Sequence, residues 1–130
     1  MAEIHRGAFG FPSERRLRKR REYLRVQRRG RKVWGRRFIY YLSRPTTSVT
    51  RLGITASKKV GNAVIRNRIK RWVREVFRQN PQLFPRPVDV VVIAKRGIDD
   101  FSYHAIEEEF THVFRRYFEA KPEGGKGRRR

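Results

Sequence analysis

The sequence predicts one α+β domain, because it carries both of the hydrophobic periods that distinguish strands from helices. The two-residue period of a strand places Phe38, Tyr40 and Leu42 on one face, and residues 88–95 form a nearly continuous β-branched run. Both patterns are typical of strands. Two longer segments, 62–78 and 102–118, repeat apolar residues at helical spacing. A chain of 130 residues has room for a single modest hydrophobic core.

The domain is expected to span residues 15–119, between two terminal segments without hydrophobic periodicity. Residues 1–14 contain two glycines and a proline, which predicts a flexible N-terminal arm. Residues 120–130 are basic and of low complexity, which predicts a disordered C-terminal tail.

The first regular element is predicted to be a short helix over residues 20–29, ended by Gly30. Tyr23 and Val26 contribute to an apolar face that is thin. The surrounding sequence is strongly basic, with eleven basic residues and one acid between positions 15 and 32.

Three strands follow from the patterns of the middle of the chain. The turn-forming sequence RPTTS at 44–48 separates the strands at 38–42 and 49–57, so these two are expected to pair as a hairpin. Alternation places Tyr40 and Tyr41 on opposite faces without saying which face is buried. The run at 88–95 is expected to be the most buried strand of the sheet.

The helix at 62–78 has one apolar face and one basic face. Asn62 is the expected N-cap. The apolar face covers about 140° of arc at 100° per residue and comprises Ile65, Ile69, Trp72, Val73, Val76 and Phe77. The last helix, 102–118, has Ser102 as its expected N-cap and an apolar face of Ile106, Phe110, Val113, Phe114 and Phe118.

The charge of the chain predicts a polyanionic partner. There are 34 basic and 12 acidic residues, for a net charge of +22, and such a charge is tolerated where a polyanion neutralises it. Nucleic acid is the favoured partner, and no membrane partner is expected, because no segment combines a basic face with an apolar face left over after core packing. With no cysteine, disulfides and thiolate metal sites are excluded. The longest apolar runs have five residues, against the ~20 that span a bilayer, so the cytoplasm is the expected location.

The basic face of the helix at 62–78 is interpreted as a nucleic-acid surface. A charged face is commonly only a solvated face, but here Glu75 is the only acid between Lys58 and Arg78, so ion pairing along the helix cannot be its purpose. The helix N-terminus together with two preceding lysines is a candidate phosphate site. The candidate RNA-binding residues are Lys58, Lys59, Asn62, Arg66, Asn67, Arg68, Lys70, Arg71 and Arg74.

Single-stranded RNA is favoured over DNA. Aromatic residues interspersed with arginines are suited to stacking on unpaired bases, and the candidates are Tyr23, Trp34, Tyr40 and Tyr41. No catalytic residue and no metal site is predicted in the protein itself. The three histidines stand alone in the sequence, and the adjacent acids of 107–109 diverge around a helix.

The stretch SKKVGNAVIRNRIKRWVREVFR, residues 57–78, resembles the signature of the bacterial ribonuclease P protein subunit. The resemblance extends less specifically from about Arg16 to Phe118. It implies an α/β sandwich similar to the second domain of ribosomal protein S5, with three helices, a four-stranded sheet and a left-handed crossover.

The same resemblance implies a role in an endoribonuclease that removes the 5′ leader of precursor tRNA. A catalytic RNA with bound Mg²⁺ would perform the hydrolysis, and the protein would bind that RNA, expected at a 1:1 ratio, together with the leader. A cleft between the first helix and the sheet would hold the leader. Gln27 stands where the family often has an aromatic residue. The implied cleft residues are Tyr23, Gln27, Ile39, Tyr41, Thr55 and Ser57.

Two other interpretations of the sequence predict different behaviour. A structural ribosomal RNA-binding protein would have the same charge and size but no effect on tRNA processing. A protein-only nuclease would use Asp99, Asp100 or His104 and would cleave RNA without an RNA subunit.

Overall fold

The structure, a computed structural model, describes residues 13–120. Most of the predicted arm and all but one residue of the predicted tail lie outside the described residues. The helices are α1 (Arg20–Arg29), α2 (Ala63–Gln79) and α3 (Tyr103–Glu119). The strands are β1 (Arg31–Trp34), β2 (Phe38–Ser43), β3 (Arg51–Thr55) and β4 (Asp89–Ala94), and short 3-10 turns occupy Ser13–Arg15 and Pro81–Leu83.

The four strands form one mixed sheet in the order β1-β2-β4-β3. Strand β2 is antiparallel to both β1 and β4, whereas β3 is parallel to β4 and is joined to it through α2. The predicted hairpin between the strands at 38–42 and 49–57 is therefore wrong, because β4 lies between them. Strand β4 is buried along nearly its whole length, as predicted, and a strand that is apolar on both faces is most stable between two neighbours.

Helices cover both faces of the sheet. On one face α2 and α3 form the main core with Phe38, Tyr40 and Val92. On the other face α1 packs through Val26 against Val91. The two faces share β4, whose successive side chains point alternately to the two helical layers.

Helix boundaries agree with the local sequence signals. Helix α1 spans the predicted residues. The side chains of Asn62 and Ser102 cap α2 and α3 by accepting hydrogen bonds from the amides of Ile65 and Ala105. The prediction that Ile65 belongs to the buried face is wrong, since it is 41% exposed. It packs against Gly61 in the preceding loop, where an added Cβ would lie 2.9 Å from the Ile65 Cγ2.

A buried carboxylate on α3 fixes the turn between β1 and β2. Glu109 accepts hydrogen bonds from the amides of Arg37 and Phe38 and, at 2.8 Å, from the hydroxyl of Tyr40. Tyr40 is fully buried. Its pKa is well above the ordinary value because burial and the Glu109 charge both disfavour the phenolate.

Candidate nucleic-acid interface

The basic face of α2 lies beside the layer formed by α1. Helix α2 buries Ile69, Val73, Val76 and Phe77 in the core, which leaves its charged residues at the surface. Arg66, Lys70 and Arg74 follow each other at intervals of one helical turn, and all three are half-buried. They form a row along the flank of α2, while Asn67, Arg68 and Arg71 are exposed on its outer face.

Most cations of α2 have no acidic partner among residues 14–120. Glu75, the only acid of the helix, pairs with Arg78 at 2.7 Å and also accepts a hydrogen bond from Gln79. The side chains of Arg66, Arg68, Lys70, Arg71 and Arg74 make no ion pair with any described acid. The face therefore concentrates positive charge that the described part of the protein does not neutralise.

The loop before α2 adds two more cations at the helix N-terminus. Lys58 and Lys59 are exposed, and the amide of Lys59 donates to the hydroxyl of Ser57 at 3.3 Å. Asn62 uses its side-chain oxygen to cap the helix, at 2.9 Å from the Ile65 amide. The side-chain oxygen of Asn62 is therefore used by the helix cap, and its side-chain NH₂ group is the part that can donate a hydrogen bond to a ligand.

An open groove of about 520 Å³ lies between α1, the end of β3 and α2. Three of the six predicted cleft residues, Tyr23, Gln27 and Thr55, line it. Lys70 lines the same groove, so the groove adjoins the cation row of α2. Sequence reasoning missed its remaining lining residues, which are Arg18, Arg20, Leu24, Ile54, Ala56 and Ile93.

The spacing of residues on α1 contains a signal for this groove. Arg20, Leu24 and Gln27 recur at intervals of four and three residues, which places them on one face of the helix. Ile93 gives no comparable signal, because it reaches the groove from β4, which is remote in the sequence.

Tyr23 is held against the outer edge of β3. Its hydroxyl accepts from the Ile54 amide at 3.0 Å and donates to the Ile54 carbonyl at 3.3 Å. The close approach requires glycine at position 53, where an added Cβ would lie 2.7 Å from the Tyr23 ring. Burial raises the pKa of Tyr23 above its ordinary value. Tyr23 is thus an anchored wall of the groove.

The other predicted cleft residues, Ile39, Tyr41 and Ser57, do not line the groove. Ile39 and Tyr41 are half-buried and lie on the α1 side of the sheet, where Tyr41 packs in the cluster of Leu17, Val26 and Val91. Ser57 is exposed beyond the end of β3. Tyr40 points into the main core, so of the two adjacent tyrosines only Tyr41 is on the groove side.

Arg74 of α2 is electrostatically coupled to Arg16, which precedes α1 in the sequence. Burial, and after it the positive charge of Arg16, lowers the pKa of Arg74 below its ordinary value. The charge of Arg74 in turn acts on the hydroxyl of Tyr23. Removing solvent from Arg74, which pairs with no described acid, is unfavourable unless an anion offsets its charge, which makes this position suited to a phosphate.

A second depression, of about 560 Å³, lies on the opposite side of β1, between that strand and α3. Glu108 and the buried Glu109 contribute to its lining, so its charge is mixed and suits a phosphate less well.

His104 and His112 are exposed on α3. Within residues 13–120 there is no cluster of three or more His, Asp or Glu side chains positioned to hold a metal ion. No helix in that range is long and apolar enough to cross a membrane.

A family model for Ribonuclease P matches residues 11–118, which is most of the chain and includes both the basic helix and the groove. The chain belongs to the ribonuclease P protein family. The family interpretation of residues 57–78 is therefore confirmed, as is the assignment of the chain as the protein subunit of ribonuclease P.

Relatives in this family are similar over nearly their whole length. The ribonuclease P protein component of Desulfatibacillum aliphaticivorans is 42% identical over 113 residues, covering 87% of this chain and 96% of the relative. The ribonuclease P protein component of Dictyoglomus thermophilum is 40% identical over 111 residues, covering 83% of this chain and 92% of the relative.

Solved structures of ribonuclease P proteins have the same fold. The protein of Staphylococcus aureus superposes with a TM-score of 0.72 at 34% identity, covering 79% of this chain and 94% of that one. The protein of Thermotoga maritima gives a TM-score of 0.70 at 31% identity, with 78% and 96% coverage. The predicted α+β fold with three helices and a four-stranded sheet is confirmed.

Proposed function

We propose that this ribonuclease P protein binds two RNA elements at once. The basic face of α2 and the Lys58–Lys59 loop bind the catalytic RNA subunit, and the groove binds the single-stranded 5′ leader of precursor tRNA. One observation supports this most directly. The row of Arg66, Lys70 and Arg74 has no described acidic partner, and Lys70 is also a wall of the groove.

On the RNA-subunit side, the contribution of the protein is electrostatic. Each cation that contacts a phosphate releases counterions and lowers the repulsion between closely packed RNA segments. An arginine guanidinium can donate two hydrogen bonds at once to the oxygens of one phosphate. Arg68 and Arg71 are exposed on α2 and available for such contacts. The face therefore stabilises the compact form of the RNA to which the precursor docks.

On the substrate side, the groove provides selectivity for the precursor, because mature tRNA has no leader to place in it. Tyr23 offers a fixed ring and Leu24 an exposed apolar side chain, while Arg18 and Arg20 add positive charge. Stacking on such surfaces contributes on the order of 1–3 kcal/mol per base. The groove is open along its length, which suits a backbone that continues beyond it.

The hydrolysis is assigned to the catalytic RNA, whose bound Mg²⁺ would activate the water that attacks the phosphodiester. The role of the protein toward the metal is indirect, because a compact RNA holds its own phosphates closer together and so binds Mg²⁺ more tightly. The proposed stoichiometry is one protein per catalytic RNA, and the proposed location of the complex is the cytoplasm.

A structural ribosomal RNA-binding protein is the main competing function. It would use the same basic helix, but family membership and the groove beside the helix both favour the role in tRNA maturation. The two functions differ in what the protein does to a processing reaction.

The test is cleavage of precursor tRNA at low Mg²⁺ by the cognate catalytic RNA. Four reactions are compared: no protein, the natural protein, Arg66→Ala/Arg68→Ala, and Arg115→Ala/Arg116→Ala. The last variant removes the same charge from exposed positions of α3. We expect the natural protein and the α3 variant to restore cleavage, and the α2 variant to restore it poorly.

Three results would contradict the proposal. Equal loss in both double variants would mean that only overall charge matters. RNA binding without any effect on cleavage would favour the ribosomal function. Cleavage by the protein alone, abolished in Asp100→Ala, would establish a protein-only nuclease.

A further inference from the structure

A row of side chains crosses the whole sheet on the α1 side and starts at the groove. Thr55 of β3 pairs with Ile93 of β4, Ile93 pairs with Ile39 of β2, and Ile39 pairs with Trp34 of β1. Residues opposite each other in register share a face of the sheet. Thr55 and Ile93 line the groove, so the row leads from the groove to the opposite edge, about 14 Å away at three strand spacings.

The row ends at an exposed tryptophan. Trp34 is 62% exposed, which is the highest exposed fraction among the large apolar residues that the structure describes and is shared with Val64. Helix α1 packs on β2 and β4, whereas the neighbouring Val33 points to the opposite side and packs against the main core. A tryptophan kept for structure alone is usually mostly buried, so its exposure on an edge strand is evidence for an external partner.

Two lysines accompany Trp34 on this side. The Lys32 Nζ is 4.3 Å from the centroid of the Trp34 ring and 5.8 Å from that of Tyr41. The Lys95 Nζ is 5.6 Å from the Trp34 ring and donates a hydrogen bond to the Gly35 carbonyl at 2.7 Å. Neither lysine pairs with an acid among the described residues.

Cation–π contact between these groups is the purely structural explanation of the arrangement. At an exposed site such a contact contributes little to stability, and it does not require the ring to stay uncovered. An aromatic ring flanked by two cations without acidic partners has the composition of a site for one unpaired base and its adjoining phosphates. An acidic peptide would match the charge, but it would gain less from a flat, open ring.

We propose that Trp34 is a second stacking position for the single-stranded RNA that occupies the groove. The base stacks on the indole, and Lys32 and Lys95 bind the adjoining phosphates. The RNA thus follows the row from Thr55 across the sheet to the β1 edge. This inference rests on the proposed function, since the RNA in question is the leader of precursor tRNA, and it assigns the more distant leader nucleotides to a site on this chain.

The experiment measures how the affinity of the assembled holoenzyme for precursor tRNA depends on leader length. It compares the natural protein with Trp34→Ala and Trp34→Phe. With the natural protein, affinity should rise with each added nucleotide until the leader reaches the β1 edge. In Trp34→Ala the last part of that rise should be lost, a reduction on the order of tenfold for long leaders. Trp34→Phe should retain most of it, because phenylalanine can still stack.

A fluorescence measurement reports contact with Trp34 directly. The chain has two tryptophans, so in a Trp72→Phe holoenzyme the tryptophan emission comes from Trp34 alone. Long leaders should quench this emission, and short leaders that fill only the groove should not.

The outcomes separate the two proposals. If the natural enzyme gains affinity with leader length but Trp34→Ala gains as much, the stacking position is refuted while leader binding stands. If the natural enzyme shows no dependence on the leader at all, both proposals fail. The isolated protein is measured as well, with no RNA present. If its Trp34 emission is quenched as the protein concentration rises, Trp34 lies in a contact between two copies of the chain, which would also refute the RNA proposal.

Discussion

The hydroxyl of Tyr23 lies 3.0 Å from the amide nitrogen and 3.3 Å from the carbonyl oxygen of Ile54, so one side chain satisfies both outward-facing backbone groups of that residue. Strand β3 is at the edge of the sheet. The unpaired groups of an edge strand otherwise need water or another chain. The contact thus completes the edge of the sheet and at the same time fixes a wall of the groove.

Replacing Tyr23 with phenylalanine separates these two roles. The variant loses both hydrogen bonds, and we expect the free energy of unfolding to fall by about 1 kcal/mol, measured by urea denaturation. Its ring remains, so affinity for precursor tRNA in the holoenzyme should change much less than in Tyr23→Ala. Equal losses of affinity in the two variants would mean that the hydroxyl, and not the ring, determines leader binding.

Tyr40→Phe tests the buried pair with Glu109. The Tyr40 hydroxyl donates to the carboxylate at 2.8 Å, and its removal should lower stability at neutral pH by about 2 kcal/mol. Because the pKa of Tyr40 is raised in the folded state, the folded protein holds this proton more tightly than the unfolded chain does.

The consequence for pH dependence has a definite sign. The stability contributed by Tyr40 is fully present below the unfolded pKa of about 10 and is lost as the pH rises through the folded pKa. Natural protein should therefore lose stability more steeply in alkaline solution than Tyr40→Phe. Tyr23 and Tyr103 also have raised pKa values, so some loss should remain in the variant. Parallel curves for the two proteins would contradict the assignment.

Asp89→Asn should be strongly destabilising. The Asp89 side chain is fully buried, with Arg25 at 2.7 Å and Arg51 at 3.5 Å, and it also accepts from the Thr46 hydroxyl. Removing its charge leaves the partly buried Arg25 without its acid and Arg51 with Glu22 as its remaining partner, which costs about 3 kcal/mol. Asp99→Asn is the matched control, since Asp99 is exposed. Thermal unfolding of the two variants measures the difference, and a similar effect in both would contradict the prediction.

Salt dependence tests whether individual cations of α2 contact phosphate. In binding to the catalytic RNA, Arg71→Gln should lower the slope of log affinity against log salt concentration by about one unit. Arg115→Gln removes the same charge from the exposed surface of α3 and should leave the slope nearly unchanged. If both variants changed the slope equally, the interaction would be with the overall charge of the protein and not with the α2 face.

The sequence by itself determined the features that depend on neighbouring residues. The bounds of α1, the caps at Asn62 and Ser102, and the basic face of α2 all follow from signals within one or two helical turns. The charge and the signature at 57–78 were also sufficient to indicate an RNA-binding ribonuclease P protein. The short strand β1 escaped prediction from periodicity, because four residues with only Val33 directed to the core show no clear pattern.

Tertiary structure alone decided which elements lie side by side. The order β1-β2-β4-β3 replaces the local hairpin that the turn at 44–48 suggested, because the apolar β4 gains more from two neighbours than from an edge. The burial of Tyr40 and the groove-side position of Tyr41 depend on which helices cover each face. The groove and the row to Trp34 bring together residues from α1, α2 and all four strands. No local sequence pattern predicts that these residues lie close together, because their proximity results from the packing of helices on both faces of one sheet.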